Sequence, residues 1–249
     1  MVFPRRLSHR ARSGTICLVM VLVVLLSGGF GLFRLMNSRT FQFFGGLTDR
    51  VDTTSKVVAL TFDDGPDPAG AQPVLDVLAD KGVPATFFLI GQELERHPEL
   101  GVAIAKAGHE IGNHTYSHQR MVFVTPGTVA GEIERTDELI RNTGYTGEIT
   151  VRPPNGKRLL TLPYYLHRHD RKTILWDVEP NSYPEVDSSA AAIADYTVAK
   201  VRPGSIVLLH AMYGGRQQTI AAIAPMIDKL RARGYRFVTI SQLLRAQGT

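Results

Sequence analysis

The chain from Lys56 onward alternates between two patterns of apolar and polar positions. Short apolar runs rich in β-branched and aromatic residues, bounded by glycine or proline, are typical of buried strands. Between them lie longer segments in which apolar residues recur every three or four positions, as Ile220, Ile223, Ile227 and Leu230 do, and this spacing is typical of amphipathic helices. The predicted strands are Val57–Phe62, Ala85–Ile90, His109–Gly112, Ile149–Val151, Thr173–Trp176, Ser205–Leu209 and Arg236–Thr239, and the predicted helices are Ala71–Lys81, Gln92–Ala107, Thr128–Asn142, Ser188–Lys200 and Thr219–Arg233.

This strand–helix rhythm predicts an α/β fold in which parallel strands are joined by helical crossovers. No glycine-rich nucleotide fingerprint follows the first predicted strand, which argues against an open dinucleotide-binding sheet. The pattern therefore favours an incomplete barrel of seven strands over a sheet covered by helices on both faces.

Residues 1–36 have the character of a membrane-directing segment. The 21 residues between Arg12 and Arg34 carry no charge, and about 20 apolar residues span a bilayer. Because arginines precede this run, the positive-inside rule places the N-terminus in the cytoplasm and the rest of the chain in the periplasm or at the cell surface. Small residues at Ser27–Gly29 leave two alternatives open, an uncleaved signal anchor and a cleaved signal peptide followed by secretion. Residues 37–55 are predicted to be a linker, and residues 56–246 a catalytic domain.

The charge distribution supports this division of the chain. The formal net charge is +5, from 28 basic and 23 acidic residues. Residues 1–39 contain six arginines and no acid, so the remainder, with 22 basic and 23 acidic side chains, carries −1. This distribution argues against a basic nucleic-acid-binding domain. Cys17 is the only cysteine, which excludes a disulfide scaffold.

Polar side chains that carry chemistry end or follow five of the predicted strands. In (β/α) barrels the C-terminal ends of the strands meet at one rim, where active sites are built. We therefore expect these side chains to gather at one site. They are Asp63 and Asp64, His114 and His118, Arg152, Asp177, and His210.

The first two groups on this rim indicate a metal site. His114 and His118, spaced four apart, are predicted to share one face of a helical turn and to reach one ion. With Asp64 they supply three protein ligands, which leaves coordination positions open as in catalytic zinc sites. Asp63 and Asp64 repel each other, so one stays charged beside a cation and the other can act as a base. A turn cap for the aspartates and a structural role for the histidine pair are the alternatives.

A loop and a strand end supply two further groups. Arg152 can orient a carboxylate, and the prolines after it stiffen a loop whose backbone N–H groups can hold an oxyanion. His210 closes an apolar strand and suits a general acid near neutral pH. A surface turn and a core histidine are the structural alternatives.

Together these motifs resemble those of the polysaccharide deacetylases with a NodB homology domain, the fourth carbohydrate esterase family. The resemblance covers about Lys56–Leu244, and its most specific parts are Thr-Phe-Asp-Asp-Gly-Pro at 61–66 and Asn-His-Thr-Tyr-Ser-His at 113–118. It implies an incomplete, distorted (β/α)7 barrel. It also implies that Asp63 is the catalytic base and that the metal ligands are Asp64, His114 and His118.

The resemblance assigns roles to the loop and to the strand-ending histidine as well. Arg152 belongs to the family's third motif, in which Asn155 occupies the oxyanion-binding backbone position that usually carries an aromatic residue. His210 corresponds to the histidine that protonates the leaving amine. The implied reaction is metal-assisted hydrolysis of an N-acetyl group on an amino sugar of a chitin oligomer, peptidoglycan or exopolysaccharide, which releases acetate. The implied cofactor is a divalent ion, zinc in the first place, with cobalt or other divalent ions as alternatives.

The chain departs from the family pattern near the proton-donating histidine. Many members have an Asp-Trp pair that tunes this histidine, and here the two positions are Ser182 and Tyr183. An alanine also replaces the acid that usually follows the histidine. Asp177 and Glu179 are the two candidate substitutes for the missing acid.

These departures leave the function open between several classes. Tyr183 and Tyr213 are candidate stacking surfaces for a sugar ring, with packing as the alternative. Besides an N-deacetylase, the sequence is compatible with a glycan-binding protein that keeps the metal site but has weakened catalysis, and with an O-acetyl esterase or amidase on the same scaffold. The expected partners are an acetylated glycan and the membrane, but not nucleic acid, and the oligomeric state is left open.

Overall fold

The computed structural model describes the backbone of residues 9–248 and the side chains of residues 18–248. Arg5 and Arg6 of the predicted cytoplasmic flank, and the side chain of Cys17, lie outside the described residues. The chain divides into two compact units, residues 1–38 and 39–249. In the first unit, helix α1 spans His9–Met36, and its stretch Leu18–Met36 has a mean hydropathy of 2.3 with none of it buried. That stretch is long and apolar enough to cross a membrane, and a signal sequence meets the same criteria.

The second unit is an α/β fold with parallel strands, as the alternating pattern predicts. Strands β2 (Val57–Asp63), β3 (Thr86–Leu89), β4 (Glu110–Asn113) and β6 (Ser205–Leu209) form the central sheet in the order β4-β3-β2-β6. Strand β7 (Arg236–Phe237) pairs with β2, and β1 (Leu47–Thr48) pairs with β5 (Thr173–Ile174). Single parallel bridges link Asn113 to Val151, Val151 to Thr173 and Val178 to Val207, so the strands form an incomplete barrel. The helices of this unit are α2 Pro68–Lys81, α3 Gly91–Arg96, α4 Pro98–Lys106, α5 Pro126–Asn142, α6 Thr161–Arg168, α7 Ala190–Lys200, α8 Gln217–Ala232 and α9 Ile240–Arg245.

Strand β2 is buried along its whole length and has two distinct faces. Val58 and Phe62 belong to the main core, which includes buried residues of α2, α4, α7 and α8. Val57 and Ala59 belong to a second cluster, together with β6 residues, inside the barrel. Because successive side chains of a strand point to opposite faces, Asp63 shares the inner face with Val57 and Ala59. Because Asp63 is also the last residue of β2, its carboxylate lies at the C-terminal end of the barrel interior.

The predicted strands Thr173–Trp176 and Arg236–Thr239 are each shortened to two residues, and two other predicted elements differ more from the structure. The predicted helix Gln92–Ala107 is two helices, because Pro98 lacks an N–H and holds the residue before it out of helical conformation, at φ −130° and ψ 58°. The predicted strand Ile149–Val151 is reduced to isolated bridges at Val151. Prolines two and three positions later carry no N–H donor, so the ladder cannot continue.

Part of the predicted linker is folded onto the second unit. Leu47 and Thr48 pair with β5, and Val51 is buried in the inner cluster. The Val51 N–H donates to the carbonyl of Gly204 at 2.9 Å. A two-residue strand is too short to produce an alternating pattern, which explains why composition alone favoured a linker.

Candidate active site

Five of the seven side chains predicted for the rim, those of Asp63, Asp64, His114, His118 and His210, line a cavity of about 290 Å³ at the C-terminal ends of the strands, and Asp177 is not among its lining residues. Seven of its lining residues are sequence-predicted site residues that come from five separate parts of the chain. Arg152 lies beneath the cavity and contacts one of them. The lining residues are Arg39, Asp63, Asp64, His114, His118, Asn155, Lys157, Trp176, Glu179, Ser182, Leu208 and His210.

Asp63 is held by a buried arginine. Arg152 Nη1 donates to Asp63 Oδ1 at 2.6 Å and to Thr61 Oγ1 at 2.8 Å. The same guanidinium donates to the carbonyls of Ile174 at 3.3 Å and Leu175 at 3.0 Å. Arg152 is fully buried, and burial lowers its pKa while Asp63 acts in the opposite direction. The guanidinium therefore orients Asp63 and compensates its charge, and this contact leaves Oδ2 as the outward acceptor.

Asp64, His114 and His118 form a cluster whose candidate ligand atoms all lie within 4.8 Å of one another. Asp64 Oδ1 is 3.6 Å from His114 Nε2 and 3.2 Å from His118 Nε2. It is buried, and among the described residues the His118 ring nitrogen is its one neighbour at hydrogen-bond distance. His114 Nδ1 lies 2.7 Å from the carbonyl oxygen of Arg152, a contact that fixes the tautomer with Nε2 free for an ion. These residues fit a divalent cation, and their two-nitrogen, one-oxygen donor set suits zinc.

The loop that carries the two histidines is not the predicted helical turn. Residues 114–118 have no helical structure, and Thr115 and His118 have positive φ values of 67° and 57°. Asp64 also has a positive φ, of 72°. Such backbone costs about 1–3 kcal/mol per residue and persists where surrounding contacts enforce it. The histidine rings still approach to 4.9 Å between centroids, so the two imidazoles lie together although they do not share the predicted helical turn.

The charges of the cluster favour binding of a cation. Burial raises the pKa of Asp64, but the interaction with His118 and the charges of His114 and His210 outweigh it and lower the pKa to about 2. Burial lowers the pKa of His114 against the opposing charges of nearby acids. Asp64 is therefore ionised and His114 neutral near neutral pH, as metal ligands are. The hydrogen bond and the charge of Asp64 raise the pKa of His118, so a cation that binds here competes with a proton on that ring.

Asn155 lies where the loop pattern predicts. It occupies the middle of the short 3-10 turn Pro154–Gly156 with φ 54°, and it lines the cavity. A Cβ on Gly156 would lie 3.3 Å from the Trp176 ring, so the turn packs closely against that indole. Arg120 Nε lies 3.4 Å from Asn155 Oδ1 on the outer side.

His210 follows β6 directly and lines the same cavity. Its backbone N–H donates to Asn181 Oδ1 at 3.0 Å, and Asn181 Nδ2 in turn donates to Asp187 and Thr219. Within the part of the chain that the structure describes, no carboxylate lies within 4.0 Å of the His210 imidazole. The amide network of Asn181 thus positions the backbone at His210, while none of the described carboxylates forms an ion pair with the ring.

Asp177 does not replace the missing acid, because it lies at the opposite end of β6 from His210. Its carboxylate accepts hydrogen bonds from Ser205 Oγ and the Ile206 N–H, both at 2.9 Å. Burial raises the pKa of Asp177. Its contacts indicate a structural role at the start of the strand.

Glu179, the other candidate for the missing acid, lines the cavity, but its carboxylate is hydrogen-bonded to two side chains other than His210. Its Oε2 accepts from Trp176 Nε1 at 2.8 Å and from Arg39 Nη2 at 2.9 Å. Sequence reasoning did not assign Arg39, Trp176, Lys157 or Ser182 to the site. Lys157, Trp176 and Ser182 follow or lie within the motifs named above and could have been found, whereas nothing in the sequence around Arg39 signals that it belongs to the cavity.

The two tyrosines occupy different places. Tyr183 is exposed beside Tyr196, at 5.1 Å between ring centroids, and does not line the cavity. Tyr213 lines a neighbouring cavity of about 420 Å³ that shares Asp64 and His118 with the first. The two cavities therefore share two residues of the candidate metal cluster.

Comparison with known proteins identifies this arrangement. The family model described as "Polysaccharide deacetylase" matches residues 50–174, which is half of the chain. The chain belongs to the polysaccharide deacetylase family. The family resemblance stated from the motifs is thereby confirmed, and the incomplete (β/α) barrel agrees with the structures of its members.

Polysaccharide deacetylases similar to this chain are named for two kinds of glycan. A peptidoglycan-N-acetylglucosamine deacetylase of Bacillus cereus is 34% identical over 211 residues, which cover 81% of this chain and 94% of the relative. A chitooligosaccharide deacetylase of Rhizobium leguminosarum bv. trifolii is 30% identical over 220 residues, covering 78% and 94%. The crystal structure of a peptidoglycan N-acetylglucosamine deacetylase in complex with 4-naphthalen-1-yl-N-oxidanyl-benzamide matches with a TM-score of 0.73 at 34% identity, over 78% of this chain and 90% of that one. These named relatives are hydrolases that act on amide bonds.

Proposed function

We propose that this polysaccharide deacetylase hydrolyses the N-acetyl group of an amino sugar within a glycan and releases acetate. The observation that carries the proposal is the Asp63–Arg152 pair beside the Asp64–His114–His118 cluster, in one cavity with His210. A base, a cation site and a titratable group at one cavity are the parts that amide hydrolysis needs.

Asp63, Asn155 and His210 are assigned to three separate steps of the reaction. Asp63, held at Oδ1 by Arg152, accepts the proton of the attacking water at its other oxygen. The backbone N–H at Asn155 donates to the oxyanion that forms when the new C–O bond is made. His210 then gives a proton to the amine nitrogen as the C–N bond breaks, and the free amine and acetate leave.

The Asp64–His114–His118 cluster is assigned to a divalent metal ion, zinc in the first place. When bound there, the ion supplies Lewis acidity toward the carbonyl oxygen and lowers the pKa of water. His114 keeps its Nε2 available through the Nδ1 contact with the Arg152 carbonyl, so the arginine loop supports both the base and the ligand set.

Helix α1 is assigned to membrane anchoring, with the catalytic unit outside the cytoplasm. Its 19-residue apolar stretch and the arginines that precede it support this assignment. A cleaved signal peptide places the catalytic unit in the same compartment. Detection of the intact N-terminus in the membrane fraction by mass spectrometry distinguishes the anchor from the cleaved form.

Acetate release tests the proposed activity. The substrates are N-acetylglucosamine oligomers and peptidoglycan, assayed with added Zn²⁺ or Co²⁺ beside an O-acetylated glycan as the ester control. Asp63→Asn should lower the rate by at least about a hundredfold while zinc binding persists. Asp228→Asn, a change of one exposed carboxylate on α8, is the matched control and should retain full activity. Full activity in the Asp63→Asn chain contradicts the assignment.

A glycan-binding protein with weakened catalysis is the second candidate. It is favoured by one observation, the absence of a carboxylate within 4.0 Å of the His210 ring among the described residues. Ser182 lines the cavity that His210 also lines. If this candidate is correct, Ser182→Asp should increase turnover, because a carboxylate near an imidazole favours its protonated form. Rapid acetate release by the unsubstituted chain decides for the enzyme.

A further inference from the structure

Arg158 is a buried arginine close to the cavity that forms no ion pair with the described residues. It is 2% exposed, and no described carboxylate lies within 4.0 Å of its guanidinium. Burial lowers the pKa of Arg158 to about 10, so the group keeps its positive charge at neutral pH. In this it differs from Arg152, whose charge is compensated by Asp63. A buried cation without a counter-charge costs free energy, and its charge acts on the neutral groups around it.

The contacts of the Arg158 guanidinium are all to uncharged oxygens. Nε donates to Gln42 Oε1 at 3.0 Å, and Nη2 donates to the Phe41 carbonyl at 2.9 Å. Nη1 donates to the Gly156 carbonyl at 2.8 Å. The first two acceptors belong to the segment before the residues matched by the family model, and the third belongs to the turn Pro154–Gly156. The guanidinium therefore joins this segment to the turn that carries the oxyanion donor.

Two peptide groups connect this guanidinium to the backbone N–H of Asn155. The Gly156 carbonyl shares its peptide group with the Lys157 N–H, which donates to the Pro154 carbonyl at 2.9 Å. The Pro154 carbonyl in turn shares its peptide group with the Asn155 N–H. Among the described residues this last N–H has no acceptor, and Asn155 lines the cavity. A continuous path of two hydrogen bonds thus leads from a buried cation to a free donor at the cavity.

A cation at one end of such a path strengthens the donor at the other end. A charged donor polarises the carbonyl that it contacts, and the N–H of the same peptide group then becomes a better donor. Hydrogen-bonded groups in series pass on this polarisation, by about 10–30% per bond. The gain is largest when the final acceptor carries a full negative charge, as a tetrahedral oxyanion does, and small for a neutral acetamide carbonyl.

We infer that Arg158 is a positioning residue that strengthens the Asn155 N–H as an oxyanion donor, through the peptide groups Gly156–Lys157 and Pro154–Asn155. This inference rests on the proposed deacetylase function, in which the Asn155 N–H receives the oxyanion. Arg158 is not among the residues that line the cavity, so it acts through the turn and not on the substrate. It therefore contributes to kcat and leaves KM unchanged, because the ground state carries no negative charge at this oxygen.

Substitutions at Arg158 separate its charge from its packing. Arg158→Gln removes the charge and should lower kcat for acetate release from N-acetylglucosamine oligomers about tenfold, a part of the hundredfold or more that loss of a whole oxyanion donor costs. KM and the Zn²⁺ dissociation constant should stay unchanged. Arg158→Lys keeps the charge and should retain more of the rate. Gln42→Ala is the matched control, because it removes the Nε contact but leaves the bond to Gly156, and it should retain kcat.

An amide resonance supplies a readout that does not depend on turnover. Labelling proline at its carbonyl carbon with ¹³C and asparagine with ¹⁵N selects Pro-Asn pairs, of which the sequence holds two, Pro154–Asn155 and Pro180–Asn181. In the zinc-loaded full-length chain in detergent micelles, the Asn155 amide proton should move upfield in Arg158→Gln but not in Gln42→Ala. The Asn181 amide is the internal reference and should stay in place in both.

The outcomes separate the role of Arg158 from the proposed function. Unchanged kcat in Arg158→Gln, or an equal loss in Gln42→Ala, overturns the role of Arg158 and leaves the deacetylase standing. If Arg158→Gln does not fold, a loss of about tenfold or more in Arg158→Lys has the same meaning, because that variant keeps the charge. If no chain releases acetate, the deacetylase fails, and the Asn155 resonance alone decides. A resonance that does not move in Arg158→Gln overturns the polarised path whatever the rate, and a shift confined to that variant supports it.

Discussion

Glu132 on α5 and Ser117 are joined by two hydrogen bonds. The Ser117 N–H donates to Glu132 Oε2 at 2.8 Å, and Ser117 Oγ donates to Oε1 at 2.7 Å. The same carboxylate accepts from the Tyr116 N–H at 2.9 Å and from Gln119 Nε2 at 2.8 Å. These four bonds fasten the residues on either side of His118, whose φ of 57° is unfavourable without such support.

The first prediction concerns the Glu132 brace, by which we mean the four hydrogen bonds that the Glu132 carboxylate accepts from Tyr116, Ser117 and Gln119. Glu132→Ala should weaken zinc binding by roughly tenfold or more, because the loop no longer holds His118 in its left-handed conformation. Titration calorimetry with Zn²⁺ measures the change directly and does not depend on turnover. Glu132→Gln retains one acceptor oxygen and should lose less affinity. Glu138→Ala, at an exposed position of the same helix, is the control, and equal zinc affinity in all four chains would show that the loop needs no brace.

The origin of this brace shows what a sequence pattern can and cannot predict about the site. Alternation along β2 is sufficient to place Asp63 on the inner face, because one residue in two must share it. The spacing of His114 and His118 predicts their pairing but not their loop conformation. Glu132 and Arg39 reach the site through tertiary contacts, over 14 residues to His118 and 140 residues to Glu179, and no local pattern encodes such contacts.

The second prediction concerns Arg152, which is fully buried and pairs with Asp63 at 2.6 Å. Arg152→Met should destabilise the fold by about 3–5 kcal/mol, because it leaves a buried carboxylate without its compensating charge. Urea denaturation with a chelator present measures the free energy of unfolding. In the Asp63→Asn background the same substitution should cost clearly less, since no charge is left unpaired. An equal cost in both backgrounds would show that packing, and not the ion pair, is what Arg152 provides.

The third prediction concerns the pH dependence of stability through His109. Burial lowers the pKa of His109 from 6.5 to about 4, and its Nδ1 accepts the Ala85 N–H at 3.3 Å. Below pH 6.5 His109 takes up a proton in the unfolded chain but stays neutral in the folded chain, and this difference favours unfolding. The free energy of unfolding therefore has its full value above pH 6.5 and decreases as the pH falls toward 4. The loss attributable to His109 is at most about 3 kcal/mol.

A variant that cannot titrate isolates this contribution. His109→Gln keeps an acceptor for the Ala85 N–H but carries no proton near neutral pH. Urea denaturation at about pH 7.5 and about pH 5, both with a chelator, should show a smaller loss of stability for the variant than for the unsubstituted chain. Identical losses would assign the acid sensitivity to other groups.

The last prediction concerns how the segment before β2 is attached to the second unit. Gly204 has φ 79°, and a Cβ there would lie 1.8 Å from the carbonyl oxygen of Val51, whose N–H donates to the Gly204 carbonyl. Gly204→Ala must therefore push the segment away as well as adopt an unfavourable φ. Gly144→Ala is the matched control, because Gly144 has φ 88° and no atom within 4 Å of its added Cβ. The control should lose only the conformational term of about 1–2 kcal/mol, and Gly204→Ala at least about 2 kcal/mol more. Hydrogen exchange should locate the additional opening at Leu47–Val51, and exchange confined to residues around 204 would mean that the segment's attachment does not depend on this close approach.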